Sequence, residues 1–275
     1  MNSLRSSIAR TGLNVFAGIG LVYLFMPIFF IVLFSFNKPK GNFNIVWQEF
    51  TFDNWLSPFS QPSLTSALWT SLQISAVATM ISTIFGSMIA LALSRRSFKG
   101  SGVINLLLVL PLTTPEIVLG SSLATLFLGQ TFVSFGFVTI VIAHVMFQVS
   151  FVALTVRARI RGFDWTLENA AADLGATPWR TFRLVTFPLV LPGVLAAALL
   201  AFALSIDDFI ITFFNSGTTV TFPLQIYGAA RVRIPPQINV LASLVLFASV
   251  ALLVIGTVRG QRVQAARASG RKRPK

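Results

Sequence analysis

The sequence predicts an all-α membrane protein with six transmembrane helices, and three observations carry that expectation. The 275-residue chain is 55% hydrophobic and 11% charged, with a mean hydropathy of +0.79. Its apolar residues gather into six stretches, each near or above the ~20 residues that a helix needs to cross a bilayer. Those stretches are continuous rather than alternating, which excludes the pattern of a membrane-spanning barrel. A single transmembrane domain over 1–258 and a basic tail over 259–275 follow from this layout.

The first stretch, Leu13–Phe36, follows Arg5 and Arg10 as a signal peptide would. It exceeds the ~7–15 residues of a signal's apolar region and lacks a small-residue cleavage site, so it reads as a retained span. The segment Asn37–Leu64 holds Trp47, Trp55 and several Phe residues, a composition suited to an amphipathic segment at the membrane surface. Ser66–Ser94 and Val103–Leu128 are the second and third spans. Pro111 and Pro115 in the third free backbone carbonyls and kink or break the helix. The fourth, Val133–Val156, carries the chain's one histidine, His144, with Gln148 a turn later, and interhelical hydrogen bonds are expected from both. After a polar loop over 157–188 comes the fifth span, Leu189–Phe214. Asn215–Ile238 contains Pro223, Pro235 and Pro236 and is expected to be turn-rich rather than one helix. Asn239–Val258 is the sixth span.

A net charge of +13 would suit nucleic acid if it formed a folded patch, but its distribution points to a membrane instead. With the N-terminus in the cytoplasm, every Lys and Arg except Lys38, Lys40, Arg231 and Arg233 lies on the cytoplasmic side. This positive-inside bias places both termini there. The tail is expected to be disordered and to touch anionic membrane lipid, and no nucleic-acid partner is expected. The absence of cysteine excludes disulfides.

The loop over 157–188 reads as two short helices. Asp164 is a suitable N-cap for the first. Leu167, Ala170, Ala171 and Leu174 then follow the i, i+3, i+4, i+7 spacing of one apolar face. Gly175 suits the left-handed residue that ends a helix. Thr177-Pro178 supplies a cap and a first-turn proline for Trp179–Leu184. A connector lying on headgroups and a helix that fits a partner's groove are both compatible with this spacing. The chain has no G-x-x-x-x-G-K-[ST] loop, so ATP-driven transport would need hydrolysis in a separate subunit.

Glu116, Asp207 and Asp208 fall inside apolar stretches. A carboxylate at mid-membrane costs roughly 2.5–3.5 kcal/mol on insertion scales, so it normally faces a cavity or a partner. Carbonyls freed by Pro111 and Pro115 beside Glu116 would favour a cation; a packing kink with Glu116 reaching water is the alternative. Adjacent residues point ~100° apart on a helix, so Asp207 and Asp208 need not serve one site. One can bind substrate while the other bonds to a sister subunit or caps a helix break.

Asn169-Ala170-Ala171, three residues, Gly175, nine residues, then Val185-Thr186-Phe187-Pro188 resembles the EAA loop of ABC-importer permeases. Asn169 stands where that family usually has Glu, and Glu168 beside it points ~100° away around the helix. The resemblance implies a coupling helix that docks into a cytoplasmic ATPase through Glu168, Asn169, Ala170, Ala171, Asp173, Leu174, Gly175 and Pro188. Leu204–Phe209, Phe222–Tyr227, Pro235–Ala242 and Pro115–Val118 are similar to the second permease of spermidine/putrescine ABC importers. That likeness implies a type I importer permease fold in a bacterial plasma (inner) membrane. It also implies a sister permease in a heterodimer, two ATPase copies and an extracytoplasmic solute-binding protein. ATP and Mg would sit in the ATPase, with no cofactor and no enzyme activity in this chain. Glu116, Ser205, Asp207, Asp208 and Tyr227 are the expected substrate pathway. An ion-coupled secondary transporter using the same acids is the runner-up, but it usually shows an internal repeat, and none is evident.

Overall fold

The computed structural model describes residues 2–95, 98–129, 133–251 and 254, with side chains from residue 12 onward. The chain divides into two compact units, residues 1–65 with 228–275, and residues 66–227.

In the first unit, α1 (Asn2–Ser35) contains the charge-free window Gly12–Ser35, long enough to span a membrane. The segment after it, expected to be amphipathic, is mostly not helical. It is irregular apart from the four-residue α2 (Asp53–Leu56), and three asparagines hold it. The buried Asn37 side chain donates to Asn44 Oδ1 at 2.7 Å and to the Val46 carbonyl at 2.9 Å, and accepts from the Gln48 amide at 2.8 Å. Asn44 donates to the Phe34 carbonyl, and Asn54 donates to the carbonyls of Ser35 and Asn37. Side-chain amides thus satisfy backbone groups that neither helix nor sheet pairs. Phe36 stacks on Phe50 and Trp55 beside this knot. The unit also contains the apolar helix α12 (Pro236–Ala251), which is shorter than a span within the described residues. The basic tail 259–275 lies outside the described residues.

The second unit begins within α3 (Pro62–Arg95) and continues through α4 (Ser101–Thr113) and α5 (Glu116–Leu128). A bend of 109° separates α4 from α5. Thr114 is extended there (φ −77°, ψ 129°), as the residue before a proline prefers to be, and Pro115 then opens the next helix. Pro115 therefore breaks the third stretch outright, whereas Pro111 lies within α4. The fourth stretch is α6 (Phe137–Ile160), shifted by a turn from its expected bounds.

The loop after α6 forms α7 (Thr166–Asp173) and α8 (Pro178–Thr181), then a π-turn over Phe182–Thr186 that runs into α9 (Phe187–Ile206). The fifth stretch is not one helix. It stops at Ile206 and resumes as α10 (Ile210–Asn215). The segment expected to be turn-rich holds an eleven-residue helix, α11 (Phe222–Val232), because Pro223 occupies the first turn, where no amide donor is required. Among the described residues, four helices are long and apolar enough to cross a membrane, or five if the bent pair counts as one span.

Helix α6 is the centre of this unit. Val152, Val156 and Ile160 pack with Ala90 of α3 and with Val190, Ala197 and Ala201 of α9. Two glycines set the closeness of that packing. A Cβ on Gly86 would stand 2.7 Å from Val152, and one on Gly193 would stand 2.6 Å from Cγ of Arg159. Gly86→Leu should therefore separate α3 from α6, at a cost of about 1–3 kcal/mol for overpacking. The measurement is thermal unfolding in detergent, with a lowered midpoint expected, whereas Gly18→Leu on the open surface of α1 should leave the midpoint unchanged.

Candidate functional site

The break between α9 and α10 is built around two adjacent carboxylates with opposite fates. Asp208 is buried, its side chain 7% exposed. Its Oδ2 accepts from the Thr212 amide at 2.8 Å and the Thr212 hydroxyl at 2.7 Å, capping the first turn of α10. His144 of α6, 3% exposed, places Nε2 at 3.2 Å from the same oxygen and at 2.9 Å from Thr212 Oγ1. Its Nδ1 lies 2.7 Å from Ser205 Oγ. An Nε2–H completes the set, with the Thr212 hydroxyl donating to Asp208. One ring therefore grips the last turn of α9 and the first turn of α10. The interhelical hydrogen bonds expected of His144 are present, and so are those of Gln148, which accepts from Ser82 at 2.9 Å and donates to the Ala201 carbonyl at 3.1 Å.

Asp207 ends α9 and its side chain is exposed. Glu116, also exposed, is the first residue of α5. The packing of α5 on α10 brings the two into Coulombic range. That packing is close at Gly120, where a Cβ would meet the Phe214 ring at 3.1 Å, and Asn215 donates to the Gly120 carbonyl at 3.2 Å. No Lys or Arg among the described residues forms a salt bridge with either acid. Tyr227 stands beside Phe209, ring centroids 4.9 Å apart, with Phe213 next to both. Of the five expected pathway residues, the structure groups Asp207 with Glu116, sets Tyr227 in the aromatic cluster next to Asp207, and turns Asp208 and Ser205 toward His144. Sequence reasoning passed over Thr212, because its bond to Asp208 spans four residues, one more than the usual cap spacing.

The second candidate site is the loop at the other end of α9. Helix α7 starts at Thr166, one residue later than a cap at Asp164 implies, and Asp164 Oδ1 accepts both the Thr166 hydroxyl at 2.7 Å and the Thr166 amide at 3.0 Å. Those two bonds hold the Asp164 carboxyl below its ordinary pKa. At the far end Gly175 is left-handed (φ +79°), and the amides of Gly175 and Ala176 return to the carbonyls of Ala172 and Ala171. Thr177 caps α8 and Pro178 opens it. No residue of α7 is buried. Leu174 is 89% exposed, and Leu167, Asn169, Ala170 and Asp173 are exposed beside it, with Ala171 half-buried.

Glu168 turns the other way. Its Oε1 meets Arg95 of α3 at 2.7 Å and accepts the buried Thr186 hydroxyl. Pro188, exposed in the first turn of α9, cannot donate to the Leu184 carbonyl and would crowd it. The π-turn widens there, and the Phe187 amide reaches back to Phe182.

Residues 82–269 match the family described as binding-protein-dependent transport system inner membrane component. The chain belongs to that family. It is 33% identical over 243 residues to the spermidine/putrescine transport system permease protein PotC of Haemophilus influenzae, covering 88% of this chain and 93% of that one. It is 34% identical over 235 residues to the putrescine transport system permease protein PotI of Escherichia coli K12, covering 83% of each. Two solved structures share the fold. One is a bacterial alginate ABC transporter in complex with an alginate-bound periplasmic protein, at TM-score 0.69 and 15% identity over 94% of this chain and 96% of that one. The other is an amino acid ABC transporter, at TM-score 0.58 and 19% identity over 78% of this chain and 100% of that one. The permease is accordingly a transport subunit with an ABC-importer transmembrane fold.

The two aspartates should respond differently to substitution. His144→Ala leaves the buried Asp208 without its Nε2–H donor and removes the link between α9 and α10, a loss of about 1–3 kcal/mol. Its unfolding midpoint in detergent should fall sharply. Asp207→Asn should leave the midpoint unchanged.

Proposed function

We propose that the chain is the transmembrane permease of an ATP-driven type I importer for a small cation, spermidine or putrescine. The observation that carries this reading is the pair of exposed carboxylates, Asp207 and Glu116, each at a helix break, with Phe209 two residues beyond Asp207 and in ring contact with Tyr227. Neither has a basic partner among the described residues. A di- or polyamine exchanges hydration for carboxylates and aromatic faces, and releases because each contact is modest. The relatives named for spermidine and putrescine transport support the same substrate class. In this reading Asp207, Glu116 and Tyr227 contact the solute, while Asp208 and Ser205 hold the break.

The reading includes six spans in one domain over 1–258, with the coupling loop over 157–188 and both termini in the cytoplasm of a bacterial plasma membrane. The bare face of α7, with Asn169, Ala170, Ala171 and Leu174, is the surface that docks on the ATPase. Two ATPase copies, carrying ATP and Mg, act with a sister permease and an extracytoplasmic binding protein. The long exposed apolar window of α1 suits burial against that sister and surrounding lipid.

Glu116→Gln and Asp207→Asn should each lower putrescine uptake by roughly tenfold, the loss of about 1.4 kcal/mol of favourable interaction. The protein should remain in the membrane at wild-type amount. Unchanged uptake in both single variants and in the double overturns the pathway assignment. Ala170→Trp or Leu174→Asp should release the ATPase on affinity purification, and retention in both rejects α7 as the docking helix.

A further inference from the structure

Three elements meet at one carboxylate oxygen. Glu168 Oε1, on α7, contacts the Arg95 guanidinium at the end of α3 and the Thr186 hydroxyl at the end of the π-turn that starts α9. Arg95 also lies over the ring of Trp165, 5.8 Å from its centre, and Trp165 packs on the α3–α6–α9 core. The Arg95 side chain is 41% exposed and that of Glu168 20%. Ion pairs in such settings add little to stability, so the consequence of this one is geometric.

A groove of about 220 Å³ separates the π-turn from α3, lined by Thr83, Ser87 and Leu91 on one side and by Phe182, Thr186 and Val190 on the other. The hydroxyls of Thr83 and Ser87 are buried and make no hydrogen bond, so they do not tie α3 to the turn. A π-turn beside a helix is frequent at functional sites, and this one borders an open groove. The polar connection from the exposed loop to both α3 and α9 therefore runs through Glu168.

Resting on the assignment of α7 as the ATPase-docking helix, we propose that Glu168 is a force-transmitting residue rather than a docking contact. Displacement of α7 is delivered to α3 through Arg95 and to α9 through Thr186. The outward face of α7, with Asn169 in place of an acid, does the docking. Glu168 faces inward and contributes nothing to it.

A charge exchange tests this in the complete transporter, reconstituted in proteoliposomes with its ATPase and loaded binding protein. Arg95→Glu, Glu168→Arg and the double exchange are compared for ATPase co-purification and for putrescine taken up per ATP hydrolysed. Each single variant should retain the ATPase while uptake per ATP falls roughly tenfold, within the usual range of coupling between linked sites. The double exchange should restore most of it. Loss of the ATPase in Glu168→Arg together with Glu168→Gln makes Glu168 a docking contact and overturns the proposal. Wild-type uptake per ATP in the single variants, or no recovery in the double, also overturns it. Failure of the ATPase to accompany the wild-type chain would instead reject the importer reading itself.

Discussion

A helix that stops inside a membrane leaves amides and carbonyls that lipid cannot satisfy, and the break over Asp207-Asp208-Phe209 depends on one buried imidazole to make it tenable. His144 binds Ser205 before the break and Thr212 after it, while Asp208 caps the restart. Other polar contacts follow along α6. Thr139 donates to the Asn215 carbonyl, Gln148 links Ser82 with the Ala201 carbonyl, and Arg157 reaches Asn105. Each ties α6 to a different neighbour, so the apolar packing around α6 is given direction as well as density. With the register fixed in this way, the exposed Asp207 carboxylate has one defined position beside α5.

Helix α9 connects the two candidate sites. It starts next to Thr186, where Glu168 attaches, and ends at Asp207. Twenty helical residues make a rod of about 30 Å. Such a rod carries a tilt at one end to the other without unwinding. The polar groups of the two candidate sites are thus at the two ends of α9, where a small rotation has the largest effect.

Features controlled by local backbone chemistry are legible in the sequence alone. Pro115 announces a broken helix, Gly175 a left-handed turn, and Thr177-Pro178 a helix start, because each is decided within a few residues. The 109° angle between α4 and α5 is not legible there, since a proline permits a break without fixing its angle. The same holds for Glu168. Its ~100° offset from Asn169 is readable, but its turning inward depends on Arg95, 73 residues earlier. The knot of Asn37, Asn44 and Asn54 escapes a compositional reading because aromatic residues dominate that segment while a few amides decide its path. Asp208 looks equivalent to Asp207 until the position of His144, 61 residues before Ser205, distinguishes them.

Arg159 lies along Gly193, with no room between them for a single methyl group. Methylenes pinned against a neighbouring backbone leave a cationic side chain little freedom to choose its height, and its charge seeks the phosphate plane. The contact therefore acts as a depth stop shared by α6 and α9. When the surrounding bilayer thins or thickens, these two helices adjust by tilting together rather than by sliding past one another.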